Sequence, residues 1–406
     1  MTGWEELAAR LPLDSGAEVD LAALAEVLPE LSALRGTEQD PIFHAEGDVW
    51  IHTQLVLEAL LAAPGWSALP LAERQQLCLA ALLHDIAKPH CTRREYLGGR
   101  THKGRAGGAV VEGACDDTVR VRSPGHARKG ALLTRELLFR AGAPFAIREA
   151  VCGLIAEHAL PLVLLRKEQA DGKKRLFAAS YRTSLEGLAR LAEADVRGRE
   201  CPDQGELLDE IALFREHCAE HGVATGPRAF PSDHSRVLYF RKVGRDPDYR
   251  AHEEHRGEVI VLSGLPGSGK DTTISERFDH LPVISLDGLR RELGVAPAGH
   301  QGAVIDAARQ RARQLLRGGE SFVWNATNLT RDLRRRIIDL ALDYRFESRV
   351  VYVEVPWEQL LARNAQRRGD EQLPRRALAR LIARWELPDA TEAHRVELAV
   401  ATHENR

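Results

Sequence analysis

The chain has no C-x-x-C pair, although six cysteines (Cys78, Cys91, Cys115, Cys152, Cys201 and Cys218) are spread through its 406 residues. That spacing excludes a zinc ribbon and argues for reduced thiols over a disulfide framework. There is no global excess of positive charge: 56 Lys and Arg stand against 59 Asp and Glu, a formal net charge of -3. A protein that holds nucleic acid through one overall basic field is therefore excluded. Any contact with phosphates must come from local clusters. No apolar run approaches the roughly 18 residues of a membrane span. The opening MTGWEELAARLPLDSG lacks the basic start and apolar centre of a signal peptide. No repeat period and no low-complexity tract is visible. These absences lead to the expectation of a soluble, cytoplasmic protein. Hydrophobic residues make up 44% of the chain, enough for cores in two or three domains of ordinary size.

Apolar residues recur at helical spacing in VDLAALAEVL, VWIHTQLVLEALL, RQQLCLAALLHDIA, HARKGALLTRELLFRAG, AIREAVCGLIAEHAL and TSLEGLARLAEADVRGR. Residues 1–223 therefore read as an all-α domain. From Thr92 to Val121 a Gly- and Thr-rich stretch containing TVRVR predicts a small excursion of loop and short strands. Residues 224–256 are polar and proline-spotted, and read as a linker or docking segment. Beyond them EVIVLSG, PVISLD, SFVWNATN and RVVYVEV read as strands alternating with helices. That alternation predicts an α/β domain with a parallel sheet over 257–406.

Within the helical part, His52, the adjacent His84 and Asp85, His126, His158 and Asp195 each fall inside or at the end of an apolar helix. Buried carboxylates need cationic partners, and imidazole with carboxylate suits divalent transition metals. A helical bundle can gather such side chains into one interior site. His52, His84, Asp85 and Asp195 are candidates for a first metal. His126 and His158 are candidates for a second metal or for direct phosphate contact. A metal there would lower the pKa of bound water and polarise a phosphoryl oxygen. Lys88, Arg128 and Lys129 are nearby cations for a substrate phosphate. A His-rich set favours manganese, nickel or cobalt over magnesium.

The order H…HD…H…H…D, carried by IHTQLVLEAL, ALLHDIAKP, PGHARKGA, IAEH and EADVRGR over residues 39–199, resembles the HD phosphohydrolase superfamily. It is most similar to the HD domain fused to bacterial tRNA nucleotidyltransferases. The resemblance implies a metal-dependent phosphomonoesterase or cyclic phosphodiesterase, including action on 2′,3′-cyclic phosphate ends, with Asp85 at the catalytic centre. By the same match His44, in QDPIFHAEGDV, stands where such domains carry active-site residues.

The second half holds GLPGSGKDTT, between a predicted strand and a predicted helix, as a phosphate-binding loop requires. Gly264, Gly267, Ser268 and Gly269 let backbone N–H groups approach phosphates at a helix N-terminus, and Lys270 is placed to reach the β- and γ-phosphates. Asp271 replaces the usual Ser or Thr after the lysine, so the hydroxyl on the metal falls to Thr272, or Asp271 binds the ion through water. Asp287, at the end of a predicted strand, is a candidate general base, and Arg290 a candidate for an acceptor phosphate. Arg363 and Arg367, four apart, are expected on one helix face as a lid over the transferring group.

GLPGSGK, LDGLR, NATNLTRDLRRR and VPWEQLLARNAQR together resemble the phage-type polynucleotide 5′-kinase family over residues 258–388. That resemblance implies Lys270 on the donor phosphates, Asp287 as base, Arg290 on a 3′-phosphate and Arg363 and Arg367 in the lid. The cofactors implied are ATP or another NTP with Mg2+ or Mn2+. One departure is Ala326, where the family pattern has an aspartate, with Asn325 one place earlier. An HD phosphoesterase joined to such a kinase resembles the bacterial fusions that heal nucleic-acid ends. The expected partners are RNA or DNA ends and a separate ligase, with no membrane. RKVGR and RDLRRR are local candidates for phosphate contacts. Two other readings stay open: a nucleoside or sugar kinase joined to an HD nucleotidase, and a nucleotide-sensing regulator whose HD domain does not turn over.

Overall fold

The computed structural model describes residues 3–98, 117–165, 169–296, 299–367 and 372–401. The chain forms two compact units, Met1–Arg228 and Ala229–Arg406. Of the excursion expected at 92–121, residues 99–116 (Cys115 among them) lie outside the described residues. The other five cysteines are free thiols. No described helix is long and apolar enough to cross a membrane.

The first unit contains helices α1 (Trp4–Arg10), α2 (Leu21–Val27), α3 (Val49–Leu61), α4 (Leu71–Leu83), α5 (His126–Ala141), α6 (Phe145–Glu157), α7 (Leu160–Val163), α8 (Gln169–Ser180), α9 (Leu185–Arg197) and α10 (Gln204–Glu220). An antiparallel pair, β1 (Arg93–Gly98) and β2 (Asp117–Arg122), forms the excursion. Helix α3 starts at Asp48, whose side chain accepts from Ile51 N–H at 3.0 Å. It buries Val49, His52, Thr53, Val56, Leu57, Leu60 and Leu61, one stripe of a 3.6-residue period. Helix α9 buries Leu188, Leu191, Ala192 and Asp195 in the same way. The two helices meet closely at Gly198, where a Cβ would stand 2.7 Å from the Val56 backbone nitrogen. Glycine therefore sets the approach that brings Asp195 beside His52.

The second unit contains α11 (Asp233–Arg241), α12 (Lys270–Arg277), α13 (Leu286–Glu292), α14 (Gly302–Gly318), α15 (Arg331–Asp343), α16 (Trp357–Gln366) and α17 (Arg375–Ile382). Its sheet holds β3 (Glu258–Ser263), β4 (Val283–Ser285), β5 (Phe322–Asn325), β6 (Glu347–Glu354) and β7 (Arg395–Val400), in the order β4-β5-β3-β6-β7. All of its pairings are parallel. Val259 and Val261 of β3 pack into a core with Leu289, Val304, Ala308 and Ile338, while Ile260 and Leu262 pack into another with Ile274 and Phe278. Both faces are thus covered by helices, as parallel sheets require. Strand β7 was not foreseen: RVELAV is a half-exposed strand at the sheet edge.

Residues 229–256, read from the sequence as linker or docking segment, include α11 and belong to the second unit. The Arg236 guanidinium donates to Ala390 O at 2.8 Å and His394 O at 2.8 Å. Arg241 of RKVGR pairs with Asp339 at 2.7 Å. RDLRRR is also occupied. Arg334 is wholly buried and donates two bonds of 2.8 Å to Glu392, while Arg335 and Arg336 pair with Asp339 and Asp332. Arg236, Arg241 and Arg334 are thus engaged in the fold, while Arg335 and Arg336 make exposed surface pairs. Removing one partner of a buried pair such as Arg334–Glu392 costs about 3–5 kcal/mol.

The Gly198 contact yields a test. Gly198→Ala should overpack the α3–α9 junction and cost about 1–3 kcal/mol. Urea unfolding of the first unit is expected to show a lower midpoint with an unchanged slope.

Candidate functional site

Three of the predicted ligand histidines sit at helix ends. His84 follows α4, His158 follows α6 and His126 opens α5. Helix C-termini leave carbonyls without intrahelical donors, and two imidazoles satisfy them. His84 Nδ1 lies 2.8 Å from Ala81 O, and His158 Nδ1 2.8 Å from Ile155 O. His126 Nδ1 lies 2.7 Å from Ser123 O. A carbonyl only accepts, so each Nδ1 carries the proton and each Nε2 presents a lone pair. His52 differs: its Nδ1 is 2.9 Å from Glu46 Oε1 but makes no hydrogen bond of good geometry there.

These lone pairs converge on acceptors. His52 Nε2 is 3.1 Å from Asp195 Oδ1 and 3.9 Å from Asp85 Oδ2. His84 Nε2 is 3.1 Å from Asp85 Oδ2. His126 Nε2 lies 3.4 Å from Asp85 Oδ1 and 3.2 Å from His158 Nε2. His52 Nε2, His84 Nε2 and Asp85 Oδ1 are buried without a hydrogen-bond partner. Lone pair facing lone pair in a dry interior is repulsive unless a proton or a cation stands between them. Five of the six predicted residues form two sets that share Asp85, His52, His84 and Asp85, and Asp85, His126 and His158, and the sixth, Asp195, joins through His52. The donor set is that of a divalent transition metal, and these residues would hold it. When bound, it would supply an acidified water and a polarised phosphoryl oxygen.

Protonation directions agree with that arrangement. Burial acts against ionised Asp85 and Asp195, yet the cationic groups around them hold both well below the usual carboxylate range. For Asp85 the neighbours are His84, Lys88 and His126; for Asp195 they are Arg199 and His52. Burial also acts against a charged His84, but Asp85 and Asp195 outweigh it and raise its pKa. That is the signature of a place wanting positive charge. His158 is pushed down to about 4 by burial and by His126 and His84, so it is a neutral ligand at pH 7.

A cavity of about 330 Å³ opens onto the cluster, lined among others by His44, Asp85, Lys88, Arg120, His126 and Arg199. Lys88 Nζ reaches Asp85 at 2.6 Å and Gln39 Oε1 at 2.6 Å. Arg199 grips Asp195 through two nitrogens, and Arg120 pairs with Asp40. Arg128 and Lys129, expected as phosphate contacts, are exposed and do not line this cavity; Arg120 and Arg199 hold the cationic positions instead. Sequence reasoning also missed Glu46. Its side chain is 1% exposed, and one oxygen meets both His44 Nδ1 at 2.8 Å and His52 Nδ1 at 2.9 Å. The other accepts from Glu200 N–H at 3.0 Å. Glu46 therefore hydrogen-bonds His44 and stands behind His52, the place a carboxylate takes behind a ligand histidine. His44 is pushed to about 4 by burial and lines the cavity.

In the second unit the loop from Gly264 to Gly269 joins β3 to α12. At Gly264 (φ 155°) a Cβ would collide with Val353 O at 2.3 Å, and Gly267 and Gly269 also have positive φ. Lys270 Nζ folds back onto Gly264 O and Leu265 O at 3.0 and 2.9 Å. Burial lowers its pKa to about 8. Ser268 is buried and its Oγ has no hydrogen-bond partner. Asn325, at the end of β5, donates to Asp271 Oδ1 at 2.7 Å, while Thr272 is exposed on α12. Asn328, in the left-handed region at φ 43°, donates to Leu262 O at 2.7 Å and ties this segment under the loop.

Asp287 does not end a strand. It lies in the first turn of α13, whose cap is Ser285, accepting from Gly288 N–H. It forms an ion pair with Arg290, one turn on. In a parallel sheet all carboxyl ends share one edge, so Asp287 after β4, Asn325 after β5 and the loop after β3 gather there. Arg363 NH1 donates to Gly267 O at 3.2 Å. Arg367 is not on the α16 face with Arg363: the helix ends at Gln366, and Arg367 has extended backbone at ψ 149°.

A further group of imidazoles, His234, His255 and His394, differs from the first. Ser348 N–H donates to His394 Nδ1 at 3.0 Å, so His394 Nε2 holds the proton and donates to His234 Nδ1 at 3.0 Å. That hydrogen bond ties α11 to the residue before β7, while both ring nitrogens of His255 are buried without a hydrogen-bond partner.

Residues 50–192 match the HD domain model and residues 259–388 the AAA domain model. The multifunctional CCA protein of Cupriavidus necator is 28% identical over 236 residues, 52% of this chain and 54% of that protein. The CC-adding tRNA nucleotidyltransferase of Thermus thermophilus is 33% identical over 160 residues, 38% of this chain and 30% of that protein. The chain thus spans about half or less of the length of these two relatives. The structure of Chaetomium thermophilum Kti12 in complex with ADP-AlF3 is 20% identical, covering 36% of this chain and 90% of that one, at TM-score 0.30. The chain joins an N-terminal helical HD domain, with residues for a divalent metal, to a C-terminal nucleotide-binding domain of the P-loop kinase fold.

Two outcomes follow. Chelation should lower the melting temperature of the parent, and manganese should restore it; Asp85→Ala should abolish the manganese response. Lys270 is partly deprotonated near pH 8, and triphosphate beside it favours the charged form. Nucleotide binding at pH 8–8.5 should therefore take up protons, read as a buffer-dependent calorimetric enthalpy that Lys270→Met removes.

Proposed function

We propose that the protein heals nucleic-acid ends: the HD domain removes 2′,3′-cyclic, 2′- or 3′-phosphate, and the P-loop domain phosphorylates 5′-hydroxyls. The observation that carries this reading is the pairing, in one chain, of a buried histidine–carboxylate cluster opening on cationic side chains with a phosphate loop beside an exposed Asp287–Arg290 pair. Lys88, Arg120 and Arg199 are suited to orient a terminal phosphate at the first site. At the second, Lys270 and the loop N–H groups hold the donor. The Asp287 carboxylate accepts the proton of the attacking 5′-hydroxyl while the γ-phosphoryl group moves to that oxygen and ADP leaves. Arg290, released from Asp287, is then available to a 3′-phosphate on the acceptor. Arg363, already on the loop at Gly267, and Arg367 serve the transferring group, and Asp271 with Asn325 takes the place of the usual loop hydroxyl near Mg2+. The tRNA nucleotidyltransferase named among the relatives supports RNA as the substrate class, and a separate ligase would complete the repair.

The test uses the full chain with ATP, magnesium and manganese, and two oligonucleotides, one with a 5′-hydroxyl and one with a 2′,3′-cyclic phosphate. Asp287→Ala is expected to lower kinase kcat by at least ~100-fold, the scale of general-base catalysis, and to spare the phosphoesterase. Asp85→Ala is expected to do the reverse. Phosphorylation of free nucleosides or sugars with no action on oligonucleotides would favour a small-molecule kinase instead. Nucleotide binding without metal-dependent hydrolysis would favour a regulator.

A further inference from the structure

Several exposed arginines of the second unit carry ion pairs, while others, Arg313 and Arg317 of α14 among them, have none among the described residues. Arg277 pairs with Glu397, Arg311 with Glu292, Arg335 with Asp339, Arg336 with Asp332 and Arg345 with Glu254. Helix α17 gathers unpaired arginines most densely. Residues 372–385 hold Arg375, Arg376, Arg380 and Arg384 and no acidic residue. All four are exposed, and none has an ion pair among the described residues. The helix buries Leu378 and Ile382. Arg376 and Arg380, one turn apart, lie about 200° around the axis from those anchors, at about 100° per residue. They therefore share the outward face, with Arg384 just past the C-terminal end.

This face is connected to the phosphate loop. Asn364 of α16 donates to Leu373 O at 2.9 Å and accepts from Leu373 N–H at 3.0 Å. That double bond staples the start of α17 to α16. One residue before Asn364, Arg363 touches Gly267 of the loop. A cavity of about 580 Å³ lies between the two helices, with Asn364, Gln372 and Arg375 on its polar wall and Leu361, Ala365 and Pro374 on its apolar one. An anionic partner on α17 would thus be linked through α16 to the donor site.

We propose that the α17 arginine face binds the phosphodiester backbone of the nucleic-acid strand whose 5′ end is phosphorylated. The inference rests on the polynucleotide reading above and adds where the strand runs. Guanidinium groups match phosphate oxygens in geometry. Two of them one helical turn apart offer adjacent cationic positions to a polymer with one charge per nucleotide. Such contacts hold the strand through its backbone and not its bases, so they extend affinity with length and carry no sequence preference. A nucleoside 3′-phosphate, with no downstream strand, does not reach them.

The experiment measures binding of labelled single-stranded RNA and DNA 12-mers to the full chain by anisotropy across a salt series, beside kinase kinetics. The parent is compared with Arg376→Ala/Arg380→Ala and with Arg376→Lys/Arg380→Lys. The alanine pair should weaken binding on the order of 10-fold at low salt. It should also reduce the slope of log affinity against log salt by about 1.4, from about 0.7 per lost contact. The lysine pair should keep the slope. KM for ATP and for a nucleoside 3′-phosphate should not change, while KM for the 12-mer rises. An unchanged slope in the alanine pair overturns the proposal even if the parent phosphorylates 12-mers normally, which leaves the kinase reading standing. Competition by polyglutamate equal to that of the 12-mer also overturns it, in favour of an acidic protein partner. If the parent phosphorylates no oligonucleotide, the kinase reading fails on its own, and the proposed strand path fails with it.

Discussion

The helical unit is organised by the cost of burying two carboxylates. Asp85 and Asp195 are each 2% exposed, and taking a carboxylate out of water costs several kcal/mol even after relaxation. Lys88 and Arg199 repay part of that cost, one for each. What remains is a set of oxygens and imidazole lone pairs directed at one another. A protein interior tolerates that arrangement only if positive charge is supplied from outside the chain or as added protons. The raised pKa of His84 shows which way the balance leans. A divalent metal would supply that charge, and the phosphate chemistry proposed for the site builds on the same set of acceptors.

The helix ends explain why the ligands are so well set. His84 and His158 each cap a helix through Nδ1 on the carbonyl three residues back, so backbone geometry fixes the tautomer without a second side chain. His52, in the first turn of α3, has no such carbonyl bond and has the Glu46 carboxylate beside its Nδ1 instead. This difference also explains what could be read from the sequence. Ligands on apolar helices leave a spaced pattern, and all six come together. Glu46 acts from the 36–48 segment, which is folded back by Asp48, holding Gly36 N–H at 2.7 Å while capping α3. No local spacing marks such a residue.

In the second unit the alternation of strands and helices was legible because β3, β5 and β6 are buried on both faces and rich in branched residues. The misjudged positions lie at boundaries. PVISLD reads as one strand, but Ser285 is a better helix cap than a strand residue, so Asp287 moves into α13 and meets Arg290. Arg367 follows a helix that stops one residue short of it. In the basic runs, Arg334 and Arg241 look like surface charge in sequence, yet each has an acidic partner 58 or 98 residues away in the chain. Asp271 shows the converse. Its departure from the common loop pattern is matched by Asn325, and the hydrogen bond between them gives that change a structural partner.

The most direct measurement takes one RNA broken by transesterification and follows both fragments by intact-mass spectrometry in the presence of the full chain, ATP and a divalent metal. The account predicts that the upstream fragment loses its cyclic phosphate and ends in a hydroxyl, while the downstream fragment gains a 5′-phosphate. Persistence of the cyclic phosphate together with an unmodified 5′-hydroxyl would contradict it.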